Sequence, residues 1–402
     1  MATWLARAGH HVTVVEKRPT GRHKACGDVL TPRALGELAR LDVDPLDLGG
    51  HRLAGVRLVH GGREFTAPWP RHGELVDHAA SLRRNLLDDH LRSRAIDAGA
   101  TVLMGHEATA PIVERGFVRG ATLAIDPELG AAAPRTDVVR SRFVVVADGA
   151  NSTFGRALGT TRQRNWPYAI ATRTYFASPR AGDSWMEAAL GIPDANGRPI
   201  AGYGWVIPLG DGTVNTGVTV LSTYRHVRSV HALKLLDSFA GGIAERWELD
   251  PTEQLKSPTR FRVPLAGSVG PKMGPTFLVI GDAAGAASPF NGDGVDAALM
   301  SGRLAAEVLG EALSVGNSTS LQRYPTMLAD ELGQYHQVGR LTARFLGRPA
   351  ILRPALRFGL RSDRVAGAAL RIATNELRDG RVGGAERAYA LASAVSKFAP
   401  RW

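Results

Sequence analysis

The run Gly281-Asp282-Ala283-Ala284-Gly285-Ala286-Ala287-Ser288-Pro289-Phe290-Asn291-Gly292-Asp293-Gly294 constrains this chain more than any other segment. It follows the apolar stretch Thr276 to Ile280 and precedes a helix-like segment, so it reads as a turn from strand to helix. Glycines let the backbone approach a ligand closely, and the N–H groups at the start of the next helix suit negative charge such as a cofactor diphosphate. Asp282, at the carboxyl end of the strand, is placed to accept a hydrogen bond from a cofactor hydroxyl. The plain alternative is a turn rich in small residues, which open α/β sheets use often.

Two other strand tips carry acids. Ala2 to Ala8 reads as the end of a helix stopped by Gly9, and His11 to Glu16 reads as an apolar strand. In a dinucleotide-binding βαβ unit the acid ending the second strand holds ribose hydroxyls, and Glu16 stands at that place. The first strand and its Gly-x-Gly-x-x-Gly turn would then lie upstream of Met1, so the sequence is expected to begin inside the first helix of that unit. Arg142 to Ala147 reads as a buried strand ending in Asp148-Gly149-Ala150-Asn151-Ser152, with Asn151 or Ser152 set to cap the following helix. Elsewhere the patterning predicts a helix over Pro32 to Leu41, strands near Leu53 to His60 and Arg63 to Ala67, and an amphipathic helix from Ala79 to Ala98. Ala169 to Phe176, Gly202 to Ile207 and Thr213 to Val220 are β-rich with little helix between them, which predicts an antiparallel sheet. Thr276 to Leu313 returns to the nucleotide-binding pattern, and the remainder reads as helical.

These elements predict an α/β fold, α+β overall. A discontinuous Rossmann-type domain (residues 1–50, 78–160 and 270–315) carries an inserted antiparallel sheet domain for the substrate (51–77 and 161–269). A helical C-terminal region (316–402) follows. A length of 402 residues accommodates that division. Lys and Arg number 49 against 38 Asp and Glu, and the net charge of +11 suits an anionic surface, lipid, nucleic acid or phosphorylated substrate. Cys26 is the sole cysteine, so no intrachain disulfide forms and a cytosolic setting fits. No apolar run approaches the ~20 residues of a membrane span, and no metal-ligand pattern stands out. Arg340, Arg344, Arg348, Arg353, Arg357 and Arg361 recur among Leu341, Phe345, Leu346, Ile351, Leu352, Leu356 and Phe358 with no acid between them. They read as a basic amphipathic surface for anionic headgroups, broken into short helices by Pro349 and Pro354, or else as a solvated helical cap. No nucleic-acid module is visible.

Two further motifs carry a resemblance. Lys24-Ala25-Cys26-Gly27-Asp28-Val29-Leu30-Thr31-Pro32 and Tyr203-Gly204-Trp205-Val206-Ile207-Pro208 resemble the Cys-Gly-Asp and Tyr-x-Trp-x-x-Pro signatures of the geranylgeranyl reductase family. That family lies in the hydroxylase-like superfamily of FAD-dependent oxidoreductases, and the likeness is strongest to its actinobacterial menaquinone reductases. The resemblance implies a Rossmann-type FAD domain and an enzyme that hydrogenates a C=C bond of an isoprenoid chain. A menaquinone tail or a geranylgeranyl group is the expected substrate.

For the cofactor, the resemblance implies contacts from Glu16, Cys26, Gly27, Asp28, Val29, Arg84, Ala108, Asp148, Gly149, Gly281, Asp282, Pro289, Gly292, Gly294 and Val295. Asp282 would meet a ribityl hydroxyl, Ala108 the adenine and Arg84 the diphosphate. The plain reading of Arg84 is a solvated helix charge. Cys26, Tyr203 and Trp205 are the implied catalytic residues, Cys26 donating a proton or tuning the flavin. Tyr203, Trp205 and Pro208 are expected to line a greasy tunnel, although Trp205 also reads as a core aromatic and Cys26 as a small buried hydrophobe. An isolated alkene needs a proton and a hydride from reduced flavin in a site shielded from water. The electron donor is NADPH, without a second nucleotide motif to hold it stably, or a ferredoxin-type protein. Expected partners are a lipid or prenylquinone, a redox donor and an anionic membrane surface, with the protein cytoplasmic and peripheral to the inner face of the cell membrane. Two other readings share these motifs: an FAD-dependent monooxygenase or halogenase, and a truncated non-catalytic remnant.

Overall fold

Helix α1 (Ala2–Arg7) ends where Gly9 adopts φ +80°, a left-handed turn that glycine takes without strain, and β1 (Thr13–Glu16) follows. The computed structural model describes the chain apart from residues 19, 22–23, 71–72, 74, 126–135, 360–361, 378–382 and 398–402. β2 (Val29–Leu30) runs into α2 (Pro32–Ala39), where Pro32 sits in the first turn and its missing N–H leaves no bond unmade. Strands β3 (His51–Leu53), β4 (Gly55–His60), β5 (Arg63–Pro68) and β6 (Ala79–Ser81) precede α3 (Arg84–Asp97). Next come β7 (Thr101–Met104), β8 (His106–Glu114), β9 (Phe117–Ile125), β10 (Thr136–Arg140) and β11 (Val144–Val146). They lead to α4 (Thr153–Ala157), capped by Ser152, whose Oγ accepts the Gly155 N–H at 3.0 Å. After β12 (Thr161–Arg162) lie β13 (Tyr168–Ala177), β14 (Trp185–Leu190), β15 (Gly202–Pro208) and β16 (Thr213–Leu221). Helix α5 (Ala232–Trp247) separates these from β17 (Thr259–Pro264), β18 (Val269–Gly270), β19 (Met273–Gly274) and β20 (Phe277–Val279). Helices α6 (Val295–Val315), α7 (Tyr324–Leu346), α8 (Pro349–Gly359), α9 (Asp363–Ala373) and α10 (Gly384–Lys397) follow.

The strands divide by pairing. β1 pairs in parallel with β7, and β11 in parallel with β20. Parallel neighbours need long crossover connections, which is the Rossmann-type pattern. A seven-stranded sheet of order β17-β13-β16-β15-β14-β4-β5 is antiparallel except where β14 meets β4. The fold is therefore α/β with α+β character, and its C-terminal part is helical. On one face of the large sheet Val206, Val214, Val218 and Val220 pack against Leu236, Phe239, Ile243 and Trp247 of α5. Burying each such large side chain is worth roughly 1.5–3 kcal/mol. Within that interface the fully buried Glu187 accepts Arg246 Nε at 2.9 Å and Trp247 Nε1 at 2.8 Å, so its charge is paired.

Several expectations need correction. Ala79 to Ser81 is not helical: these small buried residues form β6, the middle strand between β2 and β3, and α3 begins only at Arg84. The strand expected from Leu53 to His60 breaks at Ala54, whose N–H turns to Ser184 O, so β3 and β4 belong to different sheets. In β11 only Val146 is buried, because Val144 and Val145 border open internal space. Pro354 lies inside α8 rather than breaking it, since Leu352 seats that helix against the large-sheet core; Pro349 does open a new helix. The arginine series does not share one solvated face. Arg340 donates to Ala266 O at 2.9 Å and stacks 4.0 Å over Trp166, and Arg344 reaches Asn165 O, while Arg348, Arg353 and Arg357 are exposed. Arg361 lies outside the described residues.

Buried Asp28 joins the segment 24–29 to the large sheet and to the start of α3. It is 1% exposed and adopts φ +63°. Its Oδ1 accepts the Arg84 N–H at the start of α3 (3.2 Å), and its Oδ2 accepts Tyr175 OH (2.7 Å) and Asn215 Nδ2 (2.8 Å) from β13 and β16. Asn215 Nδ2 also donates to Cys26 O at 2.8 Å, and Arg173 donates to Lys24 O at 3.0 Å. An acceptor-only carboxylate satisfies three donors at once, which an amide cannot. Asp28→Asn therefore turns an NH2 toward at least one group that only donates, the Arg84 N–H or the Asn215 amide. It should destabilise the protein by about 2–4 kcal/mol, read from urea midpoints, and should make the 24–29 segment a preferred site of limited proteolysis.

A second buried group supports the turn after β20 from behind. Lys272 donates to the carbonyls of Gly267 (2.9 Å), Val269 and Ala284; burial, with Arg340 nearby, holds its pKa down to about 7, while the three carbonyls favour the ammonium. His336 of α7 donates from Nε2 to Ala286 O at 3.1 Å, and burial lowers its pKa from 6.5 to about 3. The unfolded chain takes up that proton first, so the stability this neutral ring contributes is full above about pH 6.5 and is lost as pH falls toward 3. Urea midpoints across that range should decline accordingly, and His336→Leu should flatten the decline.

Candidate functional site

A cavity of about 2070 Å³ opens between the parallel strand pairs, the turn after β20 and the large sheet. Both β1 and β11 line it, and among the described residues no strand lies between them, so part of the volume is that gap. The β1 end is rich in charge. Glu16 closes the strand and its Oε1 accepts the Arg18 N–H at 2.8 Å. Lys17 pairs with Glu107 (3.1 Å) beside Ala108 on β8, and Lys24 Nζ stands 3.5 Å from Asp282 Oδ2. At the tip of β11, Asp148 Oδ2 accepts the Phe154 N–H at 3.1 Å, and Gly149 turns with φ +81°.

The turn from β20 to α6 closes on itself through missing side chains. A Cβ on Gly281, at φ +57°, would lie 3.2 Å from the Ala298 Cβ, and one on Gly294 would lie 2.9 Å from Asp282 Oδ1. Gly292, at φ +73°, faces open space. Gly294 and Val295 bring the start of the 21-residue α6 to the cavity wall, where the positive end of its dipole favours an anion. Arg84 lines the wall opposite. Its guanidinium holds Asp88 Oδ1 at 2.7 and 3.0 Å and sits against the Cys26 thiol. Burial pushes the Cys26 thiol up and Arg84 only partly offsets this, so the group is a protonated thiol at neutral pH.

The other arm of the cavity is apolar. Alternate residues of a strand share a face, and the face of the large sheet turned away from α5 presents Val56 and Leu58 of β4, Met186, Ala188 and Leu190 of β14, and Tyr203, Trp205 and Ile207 of β15. Leu370 and Ala373 of α9 stand on its far side. Trp205 lies over Gly217, its pairing partner on β16, where any Cβ would come within 2.2 Å of the indole. Trp205 Nε1 donates to Asn215 Oδ1 at 3.0 Å, and Tyr203 OH donates to Asn291 O at 2.5 Å, which ties the sheet to the glycine turn.

Most residues singled out in the sequence meet at this cavity: Glu16, Cys26, Gly27, Val29, Arg84, Ala108, Asp148, Gly149, Tyr203, Trp205, Gly281, Asp282, Gly292, Gly294 and Val295 all line it. Three do not. Asp28 is turned into the protein as described above, and Pro289 packs on α7, where Gly339 leaves it room. Pro208 has the opposite parity to Tyr203 and Trp205, so Ile207 lines the wall and the Pro208 carbonyl accepts Ser81 Oγ at 2.5 Å. Sequence reasoning missed Asn215, whose signal was a lone amide inside an apolar strand, and Asp293, which stood unremarked between two of the motif's glycines.

Two acid-tipped strands for polyol hydroxyls, a helix start and a cluster of cations for a diphosphate, and a thiol beside an apolar arm fit FAD. A family model described as an FAD binding domain matches residues 1–330. The chain is 34% identical to the menaquinone reductase of Mycolicibacterium smegmatis over 380 residues, 94% of this chain and 89% of that protein. It is 29% identical to digeranylgeranylglycerophospholipid reductase 1 of Methanopyrus kandleri over 357 residues, 86% and 87% of the two chains. Its fold matches that of a geranylgeranyl bacteriochlorophyll reductase-like protein from Thermoplasma acidophilum with a TM-score of 0.73 at 23% identity, covering 98% of this chain and 92% of that one. FAD is thus the cofactor, and the chain belongs to the FAD-binding oxidoreductases of the geranylgeranyl reductase family.

Proposed function

We propose that this protein hydrogenates a C=C bond in an isoprenoid chain, either a menaquinone tail or a geranylgeranyl group. The observation that carries the reading is the apolar arm, which runs from Cys26 and Trp205 across the free face of the large sheet to Leu370. In this reading residues 1–50, 78–160 and 270–315 form the cofactor part, 51–77 and 161–269 the substrate part, and 316–402 a helical cover. Bound and reduced, FAD supplies the hydride.

The chain's own groups do the rest. Glu16 holds the ribose, Ala108 packs on the adenine, and Arg84 with the α6 amides neutralises the diphosphate. Asp148 and Asp282 accept hydroxyls, and Gly27 and Val29 offer backbone contacts. Cys26, kept protonated, stands where it can donate a proton or tune the flavin, while Tyr203 and Trp205 exclude water from a developing carbocation. Exposed Arg348, Arg353 and Arg357 near Phe345, itself 47% exposed, suit an anionic bilayer surface at about 1 kcal/mol each. No described helix is long and apolar enough to cross a membrane. The electrons come from NADPH or a ferredoxin-type donor.

The test is anaerobic. FAD-loaded protein reduced with dithionite and mixed with a menaquinone should give a product that stays heavier by two hydrogens after its quinol head is reoxidised in air, and a reoxidised quinone of unchanged mass would refute the reading. Ala188→Phe, which fills the apolar arm, should lower kcat/KM at least about tenfold for long prenyl chains. Its flavin spectrum and FAD content should match those of the unaltered protein.

A further inference from the structure

Three carboxyl groups left without a role meet at one end of the cavity, where the starts of α2 and α6 approach the turn after α9. Asp293 lies deep in the protein but opens on the cavity. Its Oδ2 accepts Thr31 Oγ1 at 3.2 Å and its Oδ1 accepts the Val295 N–H at 3.1 Å. Asp296, in the first turn of α6, has Arg33 Nε 3.5 Å from its Oδ2. Glu376 is 1% exposed, and its carboxyl group has the Thr374 hydroxyl beside it without a well-formed hydrogen bond. Arg33 is the cation that faces Asp296 and Glu376, and it spends part of its charge on Asn375 O at 3.4 Å. Neighbouring Glu37 is already held by Arg303 at 2.9 Å. The remaining titratable neighbours, Tyr335 of α7 and Tyr203 of β15, are raised by burial and stay neutral.

A fully buried Glu376 and half-buried Asp293 and Asp296, with one guanidinium facing only two of the three, do not all ionise readily, because each like charge nearby opposes the next. Burial pushes all three up; Asp296 adds to this at Asp293, and Glu376 reaches about 8 despite Arg33. At neutral pH the cluster therefore holds at least one proton.

We propose that Asp293, Asp296 and Glu376 form a proton store for the reaction in the cavity, and that Asp293, the member open to that cavity, is the acid that hands the proton over. This rests on the isoprenoid reductase reading. The Asp293 O–H bond breaks as a C–H bond forms at one alkene carbon, and a hydride from reduced FAD forms the second C–H bond. The alkene is reduced and the flavin oxidised, to be reduced again by the nicotinamide or iron–sulfur donor. The Asp293 carboxylate recovers a proton from the store it shares with Asp296 and Glu376, and between turnovers the store is refilled from water at Asp293, the member open to the cavity. Cys26 is the rival donor, but its thiol has Arg84 behind it, and the acid beside it, Asp28, is already held by the Arg84 N–H, Tyr175 OH and Asn215 Nδ2.

The test uses the FAD-loaded full chain. Its infrared spectrum should show a carboxylic acid carbonyl band at pH 7 that shifts in D2O and shrinks in both Asp293→Asn and Glu376→Gln. After dithionite reduction, a single anaerobic turnover with a menaquinone should slow about 100-fold in Asp293→Asn. Glu376→Gln should move the pH profile to lower pH while keeping the rate at its acid limit. FAD content by absorbance checks that each variant folds, and the two variants test the store independently. The proposal is overturned by the lack of an acid band at pH 7, by an Asp293→Asn rate within about threefold of the unaltered protein, or by a pH profile abolished in Cys26→Ala. If the unaltered protein reduces no prenyl substrate, the reductase reading fails, and the acid band with its loss in the variants decides the proton store alone.

Discussion

One carboxylate, that of Asp28, ties the start of α3 and the segment that lines the cavity to the large sheet. The segment from Lys24 to Val29 has almost no regular structure of its own, yet it must present Cys26 and Gly27 to the cavity. It does so because Asp28 reaches inward to β13, β16 and the start of α3 together. Buried, it is stable only while all its donors are in place, and those donors come from elements far apart in sequence. The positive φ of the residue fits this role, since the backbone has to reverse there to turn the side chain away from the cavity while its neighbours face it. Arg173 and Arg83, 4.4 and 4.7 Å from the centroid of the Tyr175 ring, hold the tyrosine that Asp28 needs.

The large sheet is built asymmetrically for the same purpose. One face is saturated by α5, and the other is left with small and flat side chains under open space. Ala171, Ala188 and the indole of Trp205 lie there, with Gly217 making room for the ring. A sheet face of that size is normally covered by another layer. Here α9 stands off it, touching β5 with Ala366 while Leu370 and Ala373 border the cavity. The space that remains is a long apolar slot beside the polar residues proposed to hold the cofactor, a shape suited to a chain-like hydrocarbon.

The sequence announced the site better than its walls. Glycine turns after apolar strands have a local cause: Gly281 and Gly294 were legible because close approach disfavours a side chain there, and Gly292 because its backbone is left-handed. The antiparallel pattern of β13, β15 and β16 was legible for a similar reason, as period-two alternation survives in the letters. Helix α3 begins five residues later than the patterning suggests, because the small side chains of Ala79, Ala80 and Ser81 suit a helix locally. Their strand form depends on β2 and β3, which flank them only in the fold. The arginines of α7 and α8 were read as one surface because spacing reports angle and not depth. Only the tertiary partners of Arg340, a carbonyl and the Trp166 ring, show that it faces inward.

The charges of the cavity are separated in a way that follows from what they face. Lys17, Arg18, Lys24 and Arg84 lie near the end of β1 and the start of α3, where the proposed arrangement would bring the negative charge of the FAD diphosphate. Asp293, Asp296 and Glu376 lie beyond the start of α6, with one arginine among them. Placed beside the diphosphate, these acids would be driven still further toward neutrality and would weaken cofactor binding. Placed across the helix start, Asp293 can exchange a proton with the apolar arm without facing that charge. Between the two groups the α6 dipole favours the anion, and its first-turn acids oppose that preference most when ionised. A proton kept on the cluster therefore serves cofactor binding as well as acid chemistry.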